Sequence, residues 1–224
     1  MSAAARSQQK PIVFVVDDDV SVRESLELLI KFAGWQPETF ASAGEFLARP
    51  RPTIPSCLVL DISLPDLNGL ELQKLIASER TDMPIIFITG HGDVPMTVQA
   101  MKGGAVEFLT KPFDDEVLLS AVRHAIKRSA AVLDDQFEIT ALRSNYESLT
   151  PRERDVMQLV VAGRLNKQIG MKLGISEITV KAHRGKMMQK MKSESLADLV
   201  KTAVRLGVAP ARNPSHTTEG KETS

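Results

Sequence analysis

Short apolar runs, each closed by a residue that carries chemistry, alternate with longer segments of helical period, and this alternation restricts the chain to very few folds. Ile12-Val13-Phe14-Val15-Val16 ends in Asp17-Asp18-Asp19, and Cys57-Leu58-Val59-Leu60 ends in Asp61. Ile85-Ile86-Phe87-Ile88 ends in Thr89, and Val106 to Thr110 ends in Lys111-Pro112. Unbroken apolar runs of this length suit strands buried on both faces, and strands separated by helical stretches join as βαβ units of a parallel sheet. The pattern predicts strands over 12–16, 35–40, 58–61, 85–89 and 106–110. Helices are expected over 20–33, from Ser42 through Leu47, and at about 67–79, 94–103 and 115–128. The expected fold is α/β, a doubly wound five-stranded parallel sheet. Ligands of such sheets sit at the carboxyl ends of the strands, so acids, a hydroxyl and a lysine are expected to meet at one edge.

A second module begins at Thr150-Pro151-Arg152-Glu153, where a capping threonine, a proline at the first helical position and a glutamate at the third coincide. One helix runs to Ala162 and stops at Gly163. Asn166 is expected to cap a second, about 167–173, closed by Gly174; Ser176 caps a third, 177–191; Ser195 with Asp198 opens a fourth that ends near Gly207. Four short helices with tight turns make an all-α unit containing a helix-turn-helix. Residues 129–148, acidic and poor in Gly and Pro, read as a continuing or separate helical linker. The ends, 1–10 and 209–224, read as disordered tails.

The formal net charge of zero hides an uneven distribution. Residues 1–128 carry 13 basic and 17 acidic side chains, whereas 149–209 carry 12 basic and 5 acidic. A basic C-terminal module favours a polyanionic partner. It has no Phe, Tyr or Trp over 149–209, which argues against single-strand binding by base stacking. No apolar stretch approaches the ~20 residues of a membrane span, and Met1 to Lys10 lacks the apolar segment of a secretory signal. The expectation is a cytoplasmic chain with no membrane partner. Cys57, the single cysteine, excludes an internal disulfide and reads as packing.

Asp17, Asp18 and Asp61 offer hard oxygen ligands, which suit Mg²⁺ or Mn²⁺. A carboxylate is a poor nucleophile toward an anionic phosphoryl donor unless cations neutralise the approach. The metal and the Lys111 ammonium would supply that neutralisation, and Thr89 would donate a hydroxyl hydrogen bond to an arriving phosphate. Taken singly, a strand-end aspartate is usually a cap and Lys111-Pro112 merely a loop. The conjunction of all of them at successive strand ends points to phosphoryl chemistry on Asp61. Asp19 is left to cap the first helix.

Over about residues 11–128 the chain resembles the receiver domain of two-component response regulators. The segments Ile88-Thr89-Gly90-His91-Gly92-Asp93-Val94-Pro95-Met96 and Gly104 to Phe113 look like the FixJ subgroup. The resemblance implies a flavodoxin-like receiver in which Asp61 takes phosphate from a sensor histidine kinase. It implies that Asp17, Asp18, Asp61 and the backbone carbonyl of Ser63 hold the metal, and that Lys111 binds the phosphoryl group before a cis Lys111-Pro112 peptide. Thr89 and Phe108 would be a coupled switch pair. Ser63 and His91 would flank the path of a hydrolytic water.

Leu149-Thr150-Pro151-Arg152-Glu153-Arg154, Asn166-Lys167-Gln168-Ile169, Leu173-Gly174-Ile175-Ser176 and Thr179-Val180-Lys181-Ala182-His183-Arg184 resemble the LuxR-type DNA-binding domain. The domains implied are a receiver over 11–128, a linker over 129–145 and a helix-turn-helix domain over 146–208. At 100° per residue Val180, Met187 and Met191 point to the core, while Lys181, Ala182, Gly185, Gln189 and Lys192 face away. Lys181 is the candidate base reader. Lys167, Thr179, Arg184, Lys186 and Lys190 would lie near phosphates. Gly170 stands where that family usually has alanine, a change expected to loosen its helix by ~1 kcal/mol. Gly185 replaces a longer side chain, leaving more of recognition to DNA shape.

The resemblance further implies double-stranded promoter DNA, a homodimer when phosphorylated, and RNA polymerase as partners. The competing readings are a phosphorylation-switched protein-interaction module and an aspartyl-phosphate phosphatase. Such phosphatases place a second aspartate two residues beyond the nucleophile, where this chain has Ser63.

Overall fold

The computed structural model describes residues 9–208 apart from Arg51 and Ser78; the expected tails over 1–8 and 209–224 lie outside the described residues. The structure contains two compact units, with the division between Asp135 and Gln136.

In the first unit β1 (Ile12–Val16), β2 (Gln36–Phe40), β3 (Ser56–Asp61), β4 (Ile85–Thr89) and β5 (Glu107–Thr110) form one sheet of order β2-β1-β3-β4-β5. Every neighbouring pair is parallel. Because strand side chains alternate between faces, the apolar runs split into two cores. Phe14, Val16, Leu58, Leu60 and Phe87 turn one way, toward Phe46 of α2 (Ala43–Leu47), Leu72 and Ile76 of α3 (Gly69–Ile76), and Ala100 of α4 (Val94–Lys102). Val13, Val15, Cys57, Val59, Ile86 and Ile88 turn the other way, toward Leu26 and Ile30 of α1 (Val20–Phe32) and Leu118 and Val122 of α5 (Asp115–Glu147). Phe14 and Phe46 meet edge to face with ring centres 5.6 Å apart, a favoured aromatic geometry. Cys57 is buried, and burial pushes its thiol far above the ordinary range, which makes it a packing residue.

The helix α5 runs without interruption through the stretch read as a linker. Its Ser129 is buried, and the Ser129 Oγ accepts the Ser56 amide of β3 at 3.0 Å. Leu133 is buried as well. Packing of the first unit therefore continues past residue 128.

The second unit holds α6 (Pro151–Val161), α7 (Asn166–Leu173), α8 (Glu177–Met191) and α9 (Leu196–Arg205). Its core gathers Leu149, Val156, Met157, Val160, Ile169, Val180, Met187, Met191, Leu199 and Ala203. Thr150 and Glu153 form a reciprocal capping box, and Ser176 and Ser195 accept the Thr179 and Asp198 amides. Asn166 is not a cap. Leu165 occupies that position, with its amide donated to Gln168 Oε1 at 3.0 Å, while Asn166 opens the helix and its carbonyl oxygen Oδ1 accepts from Arg184 at 3.2 Å. Gly174 ends α7 at φ 67°, the left-handed region that glycine enters without penalty. Among the described residues no helix is long and apolar enough to cross a membrane.

Candidate functional site

β1 and β3 are neighbours at the centre of the sheet, and the chain leaves β1 toward β2 on the side away from β3. The carboxyl ends of β1 and β3 thus border the crevice where the winding reverses. Asp17 follows the last residue of β1, Asp61 is the last of β3 and Thr89 the last of β4, and Lys111 follows the last of β5. Asp17 is fully buried and Asp61 nearly so. The Lys111 ammonium donates to Asp17 Oδ2 at 2.6 Å and to Asp61 Oδ2 at 2.9 Å. Asp18, exposed, brings a carboxylate oxygen within 4.8 Å of oxygens of the other two.

The site's electrostatics are those of clustered acids held by one cation. Burial raises the Asp17 pKa above the ordinary carboxylate value, against the hydrogen bond from Lys111 that favours its anion. Burial works to lower the Lys111 pKa, yet hydrogen bonds to Asp17 and Asp61 outweigh it and leave the ammonium more firmly protonated than usual. A divalent cation suits this donor set, since it is built of hard oxygens and carries more negative than positive charge. Metal binding would also relieve the repulsion between Asp17 and Asp61.

Several residues that fix this geometry were missed in the sequence. Arg23 donates to the carbonyls of Asp17 and Asp18 at 2.6 and 2.9 Å, clamping the turn beneath the acids. Asp66 accepts the Ala43 and Gly44 amides at 3.3 and 2.9 Å, and the Gly44 bond leads in holding its carboxyl below the ordinary range. A Cβ on Gly69 would lie 2.5 Å from the Asp61 carbonyl oxygen, so α3 begins directly against the backbone of Asp61. The only hint in the sequence is the turn-forming Asn68-Gly69 pair. Asp19 caps α1 as expected, accepting the Ser21 amide.

Thr89 is fully buried, and its hydroxyl oxygen accepts the His91 amide at 3.2 Å. Phe108 is half-buried, with its ring centre 6.4 Å from that of Phe87. Ser63 turns its amide to Asp61 Oδ1 at 3.1 Å. The Lys111-Pro112 peptide is cis.

On α8, Val180, Met187 and Met191 are buried, and Lys181, Ala182, Gly185, Lys186 and Gln189 lie exposed. Lys167 on α7 is exposed too. Thr179 and Arg184 are half-buried. The Thr179 hydroxyl lies 2.8 Å from Ser176 Oγ within the helix cap. Lys190 is not poised for phosphates: it donates to Glu153 at 2.7 Å and to the Ser148 carbonyl at 3.1 Å. Gly170 does more than loosen its helix. A Cβ there would stand 2.7 Å from the Ile175 carbonyl oxygen, so the glycine lets the turn between α7 and α8 close onto α7.

A parallel sheet with carboxylates and a lysine at its switch point, followed by a basic helix-turn-helix unit, defines a phosphoacceptor module joined to a DNA-binding one. Comparison with known proteins agrees. Residues 13–123 match the response regulator receiver domain, and 147–203 match the bacterial regulatory proteins of the luxR family. The chain is 50% identical to Nodulation protein W of Bradyrhizobium diazoefficiens over 200 residues, 89% of this chain and 88% of that protein. It is 41% identical to Transcriptional regulatory protein FixJ of Rhizobium meliloti over 199 residues, 89% and 98% of the two chains. The solved structure of Response Regulator StyR superposes with a TM-score of 0.80 at 47% identity, covering 88% of this chain and all of that one.

The chain belongs to the two-component response regulators that pair a receiver with a LuxR-type DNA-binding domain. It is a transcription regulator rather than an enzyme acting on outside substrates. Receivers of this family bind Mg²⁺ through acidic residues and take their signal from a kinase.

Proposed function

We propose that Asp61 accepts a phosphoryl group from a sensor histidine kinase. A carboxylate oxygen of Asp61 attacks phosphorus as the phosphorus–nitrogen bond of the phosphohistidine breaks, leaving an acyl phosphate on this chain. The observation that carries this reading is the Lys111 ammonium bonded to both Asp17 and Asp61, with the Asp18 carboxylate beside them. Asp17, Asp18, Asp61 and the Ser63 carbonyl would hold Mg²⁺ or Mn²⁺, which would supply positive charge against the incoming anion. Lys111 then turns to the phosphoryl oxygens. A cleft of about 360 Å³ that includes Lys111, with Val22, Leu26, Pro112 and Phe113 beside Ser21, Ser25 and Asp115, offers a kinase surface a seat of mixed polarity.

New charge on Asp61 draws the Thr89 hydroxyl away from the His91 amide, and Phe108 rotates into the space released. Two packings a few kcal/mol apart suffice for a switch of this kind. The receiver, over 11–128, then pairs with a second copy. The module over 146–208, joined through 129–145, binds duplex promoter DNA in the cytoplasm, with Lys181, Ala182, Gly185 and Gln189 toward the bases. Lys167, Thr179, Arg184 and Lys186 lie toward phosphates, and RNA polymerase is met at the promoter. Two modules on one DNA gain affinity through effective concentration.

The test measures mass and DNA affinity with and without acetyl phosphate and Mg²⁺, for the native chain and Asp61→Asn. Donor-dependent dimerisation and tighter DNA binding in the native chain alone support the reading. Equal behaviour in all four conditions overturns it.

A further inference from the structure

Ile178, the second residue of α8, keeps 80% of its surface in water. With 3.6 residues per turn, Ile178, Ala182, Gly185 and Gln189 fall along one line down the helix, opposite Val180, Met187 and Met191. All four are exposed, and the line carries no charge. A Cβ on Gly185 would meet nothing within 4 Å, so the line is also open. Exposed lysines border it, Lys181 on one side and Lys186 on the other. Glu177, the one acid on the first turn of α8, is met by Lys181 at 3.5 Å.

We propose that this uncharged line lies against base edges in the major groove and that Ile178 reads the 5-methyl group of thymine. The proposal rests on the DNA-binding reading above and adds to it a specificity-determining residue and the base it selects. With Arg184 on one flank and Lys186 on the other drawn to phosphates, the line between them, with Lys181 beside it, is set against the base edges. The first turns of a recognition helix reach those edges. An isoleucine side chain has no donor or acceptor, and on the major-groove edge the thymine methyl is the apolar group it can match. A cytosine amino group or guanine carbonyl in the same place would lose water without gaining a partner.

The experiment selects binding duplexes from a random library with the full chain, phosphorylated by acetyl phosphate and Mg²⁺, for the native protein and for Ile178→Ala. The native chain is expected to enrich thymine at one fixed position of each half-site. Ile178→Ala should lose that preference alone, with an unchanged salt dependence, because no phosphate contact is removed. Replacing that thymine by deoxyuridine in the selected duplex should weaken the native chain about fourfold to tenfold, the scale of one buried methyl contact, and leave Ile178→Ala unaffected. An identical motif from both proteins, or equal binding to thymine and deoxyuridine, overturns the assignment while leaving DNA binding intact. Failure of the native chain to enrich any duplex overturns the DNA-binding reading and this one with it.

Discussion

The Cβ that Gly92 lacks would stand 2.9 Å from the edge of the Phe108 ring. The same missing atom would lie 3.0 Å from a methyl carbon of Thr110 and 3.2 Å from that of Thr89. The loop after β4 therefore rests on both members of the proposed switch pair through a contact that glycine permits and a larger residue does not. Gly92 reads Thr89 and Phe108 together.

Gly92→Ala should disfavour this packing and shift the receiver toward the alternative in which Phe108 has rotated away. Overpacking of this kind costs about 1–3 kcal/mol, enough to change the populations of a two-state switch. The expected result is a measurable dimer fraction by light scattering without any phosphoryl donor, while phosphorylation of Asp61 persists. A strictly monomeric variant that no longer responds to donor would show that the loop blocks the switch instead.

Lys111→Met removes the cation between Asp17 and Asp61 and leaves the fully buried Asp17 carboxylate with only the Asp19 amide, at 3.0 Å, to offset its charge. Loss of one partner from a buried pair costs about 3–5 kcal/mol, and the residual exposure of Lys111 places this case toward the lower end. Trp35, the single tryptophan, packs on the core of the first unit and reports its unfolding by fluorescence. Mg²⁺ should restore more stability to the variant than to the native chain, and its half-saturating concentration should fall, because the metal no longer competes with the ammonium.

Glu153 gives the second unit a pH dependence. Its pKa is held below the ordinary value of 4.5, first by the hydrogen bond from Lys190 and then by the Thr150 amide. Stabilisation from a depressed carboxyl is fully present above its unfolded value and disappears as pH falls through the folded one. Glu153→Gln keeps an acceptor for the Thr150 amide but loses the ion pair, so it should cost about 1 kcal/mol near pH 7. As pH falls below the ordinary carboxylate value and the native side chain takes up its proton, the difference between the two proteins should shrink and vanish. A constant difference across that range, followed by circular dichroism, would assign the effect to packing.

Two glycines of the second unit should respond to alanine with opposite signs. Gly185→Ala enters open space in a helix interior and should stabilise by about 0.5–1 kcal/mol. Gly170→Ala gains the same helix propensity but drives a methyl against the Ile175 carbonyl, and should destabilise. Urea denaturation of both variants decides the point. Stabilisation by Gly170→Ala would mean that the turn yields without cost.

Much of the fold was legible because the strands are buried on both faces. Runs such as 12–16 and 85–89 announce themselves by composition, and their ends deliver Asp17, Asp61, Thr89 and Lys111 to one edge. The caps at Thr150, Ser176 and Ser195 follow from local chemistry. What could not be read depends on which backbone passes close by. Gly69, Gly92 and Gly170 look like ordinary loop or helix glycines until Asp61, Phe108 and Ile175 arrive beside them. Lys190 looked like a phosphate contact because a positive charge in a sequence does not name its partner, which is Glu153, 37 residues earlier. Asn166 was misread because an asparagine before a helical run usually caps it, whereas here Arg184 claims its side chain.

The seating of α3 on the peptide of Asp61 through Gly69 has a mechanical corollary. A side chain that gains charge normally eases its load by letting its own main chain recoil. Here the first turn of a helix stands behind that main chain with no gap to give up, and Ile62 hands its carbonyl to the Gly69 amide at 2.9 Å. Relaxation is thus denied to the rear and must travel forward, into the neighbouring strand ends.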